Sequence, residues 1–356
     1  MIDLELYNKL LHANHFTILD SYVKANSVLN GSNTALCSVS GGSDSDIMLD
    51  IIHTLDESGK VVYYWINTGL EYQATKEHLD ELEQKYGIEI IRLKPDKSIP
   101  LCVKEYGVPF LSKYVSEQMM RLQKHGFQWE NEPLEVLLQK YPKCKTALQW
   151  WCGERCSDKD GYQKISRFSI ERNRFLKEFI IANPPDFPLS NKCCEYAKKL
   201  PAKRFIKECG ADLEITGIRK AEGGIRSANY KTCCSESKSK GCDTYRPIFW
   251  YTDSDKTSYE EFFGVTHSRC YTEYGLRRTG CVGCPFSKHI NEELEIIREH
   301  EPNLYKAAVY IFGKSYEYTA KYHAFVKEMK AWEKEEKKSG ISCSNGDDPA
   351  DVRCAV

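Results

Sequence analysis

Ser40-Gly41-Gly42-Ser43-Asp44-Ser45 sets two glycines, three hydroxyls and a carboxylate between two apolar runs. The first, Ala35 to Val39, is short; the second, Ile47, Met48, Leu49, Ile51, Ile52 and Leu55, has helical spacing. Glycines let the backbone approach an anion closely, and a helix starting here aims its free N–H groups and its dipole at that anion. Ser40, Ser43 and Ser45 add donors, and Asp44 can hold a metal ion or cap the helix. The chemistry implied is recognition of a phosphate or pyrophosphate. The turn lacks the Gly-Lys-Ser/Thr close of a Walker A loop and the Gly-x-Gly-x-x-Gly of a dinucleotide turn. The plainer alternative is a serine-rich turn that only caps a core helix.

The second constellation is sulfur. The chain has 16 cysteines, among them the adjacent Cys193-Cys194 and the later Cys281-Val282-Gly283-Cys284. Four thiolates suit zinc or an iron–sulfur cluster, and spacing alone does not separate the two. Two plainer readings stand beside this one. Cys193 and Cys194 can be buried apolar thiols, and Cys281 and Cys284 can form a zinc knuckle with Cys270 or Cys242. Cys233-Cys234 with Cys242, and Cys144 with Cys152 and Cys156, form further groups. Each reads as ordinary thiols, a second metal site or a resolving disulfide. Glu208-Cys209-Gly210 reads as a helix end with Gly210 as its cap.

These groups need elements to position them. Residues 3–28 read as one helix. Ala35 to Val39, Val61 to Ile66 and Ile88 to Leu93 read as strands, and residues 73–86 as a helix ending before Gly87. Such alternation predicts βαβ units and a parallel sheet, an α/β fold. Asn67-Thr68-Gly69-Leu70-Glu71-Tyr72 is the exit loop of the second strand. Asp212 to Thr216, before Gly217-Ile218-Arg219, and Arg246 to Trp250 read as later strands. Residues 289–337 read as helical and charged. The expected organisation is an N-terminal helix at 1–29, a nucleotide and thiol core at 30–95 and 190–290, and a mostly helical insertion at 96–189. C-terminal helices at 291–338 and a mobile tail at 339–356 complete it. Trp129, Trp150 and Trp151 in the insertion are expected to pack a core rather than stack on a base.

A formal net charge of −1 gives no global pull toward nucleic acid or membrane. The N-terminus lacks the basic and apolar regions of a signal peptide, and no apolar stretch is long enough to span a bilayer. The expectation is a cytoplasmic protein with no membrane partner, in which clustered cysteines favour metal or redox chemistry over disulfides.

Ser-Gly-Gly-x-Asp-Ser resembles the pyrophosphate (PP) loop of the adenine-nucleotide α-hydrolase superfamily. Cys193-Cys194-Glu195-Tyr196-Ala197-Lys198-Lys199-Leu200-Pro201-Ala202-Lys203-Arg204, followed much later by Cys281-x-x-Cys284, resembles the phosphoadenosine/adenosine phosphosulfate reductase family in its cluster-bearing branch. Asn67-Thr68-Gly69, Gly217-Ile218-Arg219-Lys220-Ala221-Glu222 with Arg226, and Tyr245-Arg246-Pro247-Ile248 resemble further segments of that family, in the family's order. The similarity covers roughly residues 30–95 and 190–290.

The resemblance implies a PP-loop core that binds ATP or a phosphosulfate nucleotide through Ser40, Gly41, Gly42, Ser43, Asp44, Ser45, Thr68, Gly69, Gly217 and Arg219. Arg226, Lys203 and Arg204 would balance phosphate or sulfate charge, and Asp44 would position Mg²⁺ with ATP. It implies a 4Fe–4S cluster on Cys193, Cys194, Cys281 and Cys284, with zinc as the alternative, and Arg277 and Arg278 as cations beside it. The family's reductases carry a C-terminal Glu-Cys-Gly-His-like motif whose cysteine attacks the sulfonate. Neither Cys343 nor Cys354 has those neighbours, so no catalytic residue is assigned. The expected function is therefore that of an iron–sulfur PP-loop enzyme of sulfur metabolism. Its partner is either a thioredoxin-like reductant or a sulfur donor protein. One alternative is an ATP-dependent sulfurtransferase that adenylates an acceptor, a nucleic acid or a small molecule, before thiolation. A non-catalytic nucleotide-binding redox sensor is the other.

Overall fold

The computed structural model describes residues 3–154, 156–159, 162–166, 168–223, 230–237 and 241–339. The chain divides into two compact units. One holds residues 1–107 and 191–313, the other 108–190 and 314–356. The division falls at Gly107 rather than after residue 95, so the helix Ile99–Tyr106 goes with the sheet-bearing unit. Residues 314–339 of the last helix go with residues 108–190.

The first unit opens with two helices, α1 (Leu4–His12) and α2 (Phe16–Asn30), where the sequence predicted one. The break has a local cause. Asn14 takes φ 58°, a left-handed conformation that asparagine tolerates, and the His15 N–H returns to the Leu10 carbonyl. Strand β1 (Ala35–Ser38) then feeds α3 (Ser43–Leu55). Strand β2 (Val61–Ile66) leads to α4 (Gln73–Tyr86), which stops at left-handed Gly87, and β3 (Ile90–Leu93) follows. After residue 190 come β6 (Leu213–Thr216), β7 (Cys234–Ser235) and β8 (Asp243–Tyr245). The second unit supplies the hairpin β4 (Cys156–Lys159) and β5 (Tyr162–Ile165).

The predicted strand over 246–250 is not one. Pro247 has no N–H for a ladder, and Phe249 and Tyr251 instead donate three residues back, to Arg246 and Ile248, in successive turns. The strand that pairs there is β8.

The sheet order is β3-β2-β1-β6-β8-β7, parallel except for β7 against β8. Alternation along the strands feeds two apolar layers. Ala35, Cys37, Tyr63, Trp65 and Ile215 pack with α2 and α3. Leu36, Tyr64 and Val62 pack with Ala202, Phe205 and Ile206 of the helix Leu200–Glu208. The chain runs outward from β1 to β3, then returns to the other side of β1 at β6. That reversal opens a crevice beyond the C-terminal ends of β1 and β6, where open α/β sheets bind ligands. Register keeps the two ends level, with Ser38 opposite Thr216.

The second unit is mostly helical: Lys113–Lys124, Leu134–Lys140, Lys145–Trp151 and Leu176–Ala182. Trp150 and Trp151 are fully buried, and the Trp151 indole N–H donates to the Glu130 carbonyl at 2.8 Å, so these tryptophans are core. Among the described residues no helix is long and apolar enough to cross a membrane.

Asp212 aligns β6 with β1. Its carboxylate accepts from the Asn33 N–H (2.8 Å), the Asn33 side-chain amide (3.0 Å) and the Thr34 N–H (3.0 Å). Partial burial pushes its pKa up, but these donors outweigh burial and hold it below the ordinary 3.8. Asp212→Ala should lower stability at pH 7 by about 1–2 kcal/mol, read as a lower urea midpoint. Because the folded pKa is depressed, that stabilisation is present above the ordinary value and disappears as pH falls through the folded one. An unchanged midpoint at pH 7 contradicts the assignment.

Candidate functional site

The turn leaving β1 is shaped by its own hydroxyls. The Ser40 N–H donates to Ser45 Oγ at 2.8 Å, and the Gly42 N–H to Ser40 Oγ at 3.3 Å. Gly41 has φ +66°, and a Cβ there would stand 2.7 Å from Thr75 Cγ2, so only glycine fits without a shift. Gly42 forms the N-terminus of α3 without a side-chain cap, and its carbonyl accepts from the N–H groups of Ser45 and Asp46. A Cβ on Gly42 would lie 3.2 Å from both Thr279 Oγ1 and the Tyr271 hydroxyl. That hydroxyl accepts from the Ser43 N–H and, at 3.2 Å, from the Thr279 N–H.

The exit of β6 closes the other side. A Cβ on Gly217 would sit 3.1 Å from the Asp44 carbonyl and Ser45 Cα, so glycine allows the two backbones to meet. Arg219, buried, places Nε 2.9 Å from Asp44 Oδ1 and its Nη1 2.9 Å from Asp253 Oδ1. Lys256 Nζ lies 3.1 Å from Asp44 Oδ1 and donates to Ser43 Oγ. Lys256 carries no motif signal. It reaches the site from the helix Asp253–Phe263, whose Thr252–Asp255 capping box was the only legible cue. Asp44 is thus clasped by two cations, and its carboxylate orients Arg219 and Lys256.

A second polar layer lies under the turn, and sequence reasoning missed it. Asp46 is fully buried, with Oδ2 3.1 Å from His78 Nε2 and 2.8 Å from His267 Nδ1; His267 Nε2 is 2.8 Å from Glu260 Oε1. Burial alone would raise the Asp46 pKa, but hydrogen bonds from His267 and His78 bring it below the ordinary value. Burial likewise opposes charge on both histidines, yet Asp46, with Glu81 for His78 and Glu260 for His267, raises both.

The thiols gather from two segments. Cys193 and Cys194 end the helical turn Lys192–Cys194, which runs through a π-helical turn, Glu195–Lys199, into Leu200–Glu208. Cys281 and Cys284 close a turn in which the Cys284 N–H donates to the Cys281 carbonyl. Val282, fully buried, donates its N–H to Leu70 at 2.6 Å. The four thiols sense one another. Cys193 is pushed up first by its hydrogen bond with Cys194, then by burial, and further by Cys284 and Cys281. Burial, then Cys281 and Cys194, push Cys284 up to about 12. Burial also raises Cys281, against the pull of Lys198. Thr68 Oγ1 lies 3.7 Å from Cys281 Sγ and donates to Glu71 at 2.6 Å; Glu71 in turn faces Lys198 at 3.7 Å.

Four thiols that cannot ionise together without repulsion, beside one lysine, are a donor set that gains from a bound cation, and a zinc ion or an iron–sulfur cluster meets that need. Among the described residues no three His, Cys, Asp or Glu side chains close on a point tightly enough to grip one metal ion.

Not every expected residue converges on the turn. Thr68 stands at the thiols, and Gly69 is exposed beside it with φ +84°. Arg204 pairs with Asp96 and, at 3.7 Å, with Glu208. Lys203 is exposed on the same helix, so neither cation joins the turn's ion pairs; a neighbouring carboxylate already neutralises Arg204. Arg226, Cys343 and Cys354 lie outside the described residues. Gly210 does end its helix, with φ +60° and the Ala211 N–H returning to Ile206.

The Asp46 cluster sets a pH dependence. Both histidines hold their protons to a higher pH in the folded chain than the ordinary 6.5. Their stabilisation is therefore full below that value and is lost as pH rises through the folded values. The Asp46 contribution is present above its ordinary 3.8 and is lost as pH falls through its folded value. Histidine ring signals of His78 and His267 in an NMR titration should move above 6.5, and in Asp46→Asn they should fall. Unmoved titrations would remove the cluster from this account.

Residues 34–184 match the phosphoadenosine phosphosulfate reductase domain. The match covers the turn, Thr68 and Gly69, continues into the second unit and stops before Cys193. An uncharacterized protein of Methanocaldococcus jannaschii is 30% identical over 146 residues, 41% of this chain and 27% of that protein, so the chain spans about a quarter of the curated relative it matches. Among solved structures, a phosphoadenylyl-sulfate reductase from Candida auris in its phosphate complex is similar at 14% identity. It aligns over 79% of this chain and 96% of that one, with a TM-score of 0.40. A U34-tRNA thiolase from Methanococcus maripaludis with its 4Fe-4S cluster is similar at 13% identity, over 87% of this chain and 80% of that one, with a TM-score of 0.36. What the chain is similar to over residues 34–184 is the phosphoadenosine phosphosulfate reductase domain.

Proposed function

We propose that this chain is an enzyme of sulfur metabolism that binds an adenylyl nucleotide, ATP or a phosphosulfate, by its phosphates at Ser40–Ser45. A 4Fe–4S cluster held by Cys193, Cys194, Cys281 and Cys284 would stand beside it. The observation that carries this reading is the contact of Gly42 with Thr279, two residues before Cys281. The anion-binding turn and the thiol knuckle share a wall.

The chain's own residues do the binding. The start of α3 offers its helix dipole to the incoming phosphate, and Lys256 and Arg219, held by Asp44, supply positive charge there. With ATP, Asp44 would hold Mg²⁺, which would supply charge to offset the phosphates, and it could do so only by loosening its hold on the two cations. Tyr271 and Thr279 bound the turn on the thiol side. The cluster, when bound, supplies an electrophilic iron–sulfur centre beside the nucleotide. Lys198 and Thr68 would set the charge and orientation of Cys281.

Two measurements test the reading. Calorimetry on anaerobically purified protein should show binding of ATP–Mg²⁺ or of phosphosulfate. Gly41→Ala should weaken it at least about tenfold, because its Cβ displaces the turn. Lys256→Ala should weaken it by a similar factor, about 1.4 kcal/mol. Wild-type protein that binds neither nucleotide sinks the proposal. Turnover then names the reaction: sulfite from phosphosulfate with a thioredoxin-like reductant marks a reductase, and AMP with pyrophosphate from ATP marks an acceptor-adenylating sulfurtransferase.

The cluster is tested separately. The protein should be brown, with absorbance near 400 nm that is lost in Cys281→Ser and Cys284→Ser. Colourless protein with one zinc and no iron per chain overturns the cluster assignment.

A further inference from the structure

We infer that Cys233 and Cys234 form a second redox site, a vicinal dithiol that closes reversibly to a disulfide by exchange with a disulfide-bearing partner. Adjacent residues in an extended strand point to opposite faces, which holds neighbouring thiols apart. Here Cys233 Sγ and Cys234 Sγ lie 3.9 Å from each other. The cause is a bend entering β7, in which Thr232 Oγ1 donates to the Cys234 carbonyl.

The bend is clamped from beneath. Arg246, 2% exposed, donates its backbone N–H to the Cys233 carbonyl at 2.9 Å and its Nη1 to Ser235 Oγ at 3.0 Å. Its guanidinium lies 3.6 Å from the centre of the Tyr230 ring. A cavity opens beside the pair, lined by Asp20, Lys24, Cys233, Tyr245 and Trp250. Lys24 forms an ion pair with Asp20 at 3.2 Å and feels both thiols.

The two sulfurs are unequal. Cys234 is exposed and Cys233 is buried, which suits an attacking thiol backed by a resolving one. Cys242, the third member of the group expected from sequence, packs with the other apolar layer and takes no part.

The exchange balances. The Cys234 thiolate attacks one sulfur of the partner disulfide, forming a mixed disulfide and releasing one partner thiolate. The Cys233 thiolate then attacks Cys234 Sγ, forming the Cys233–Cys234 bond and releasing the second partner thiolate. Two electrons pass to the partner, and its two thiolates take up the two protons the pair gives up. Neighbouring Cα atoms are about 3.8 Å apart, closer than the usual disulfide window of about 4.4–6.8 Å, so the closed form is strained and easily reduced. That favours a carrier over a structural bridge. Burial, then Cys233, push Cys234 up to about 11, with Lys24 and Arg246 opposing, so exchange should quicken as pH rises.

The sequence supplies a clean readout. Trypsin cuts after Lys231 and Lys238, and the peptide between them, Thr232-Cys233-Cys234-Ser235-Glu236-Ser237-Lys238, holds these two cysteines alone. The full chain is incubated with glutathione disulfide, alkylated, digested and weighed. The expected peptide is unalkylated and lighter by two hydrogens, and dithiothreitol before alkylation restores two alkyl groups. The same treatment of Cys234→Ser should leave Cys233 alkylated or carrying glutathione. A wild-type peptide that keeps both alkyl groups, or carries glutathione on each sulfur, overturns the proposal.

Discussion

The head of the sheet depends on how closely the exit of β6 is allowed to approach the first turn of α3. Gly217 makes that approach, with no room for a side chain against Asp44 and Ser45, and the Arg219–Asp44 ion pair fastens it. Both groups are largely withdrawn from water, so the pair gains little net stability from its Coulomb energy once desolvation is counted. Its use is positional. It fixes the last strand of the switch point to the turn that follows the first, and it sets Lys256 against Ser43.

That constraint propagates in two directions. Below the turn, the Asp46, His78, His267 and Glu260 chain ties α3 to α4 and to the helix after Tyr251. Buried polar groups of this kind must be satisfied together, so they hold the helix start in one arrangement. Toward the thiols, Tyr271 and Thr279 carry the turn to the Cys281 knuckle, and Val282 pins that knuckle to the exit of β2. The Ser40–Ser45 turn and the four cysteines are two ends of one short run of contacts.

Much of this was legible in the chain. Strand, glycine turn and amphipathic helix around Gly41 and Gly42 are local, and local patterning specifies them. The pairing of Cys193 and Cys194 with Cys281 and Cys284 was legible only through the order of motifs. What escaped notice lay in residues whose roles come from the fold. Lys256, Tyr271 and His267 sit in ordinary helical or loop contexts, and only the parallel sheet brings them to the turn. Lys203 and Arg204 illustrate the converse: a basic pair on one helix suggested an anion, while Asp96, far off in sequence, had already claimed Arg204. The break at Asn14 and the turns after Pro247 were missed because a single residue's backbone preference overrode the surrounding apolar pattern.

The central claim is that nucleotide and sulfur centre share one chamber, joined through Thr279. The most direct test is to titrate ATP–Mg²⁺ or phosphosulfate into anaerobic, cluster-loaded protein while recording the cluster's visible and paramagnetic resonance spectra. The account predicts a saturable change in the spectrum that follows nucleotide occupancy and is weakened by Thr279→Ala. Nucleotide that binds to saturation and leaves the spectrum unchanged would contradict it.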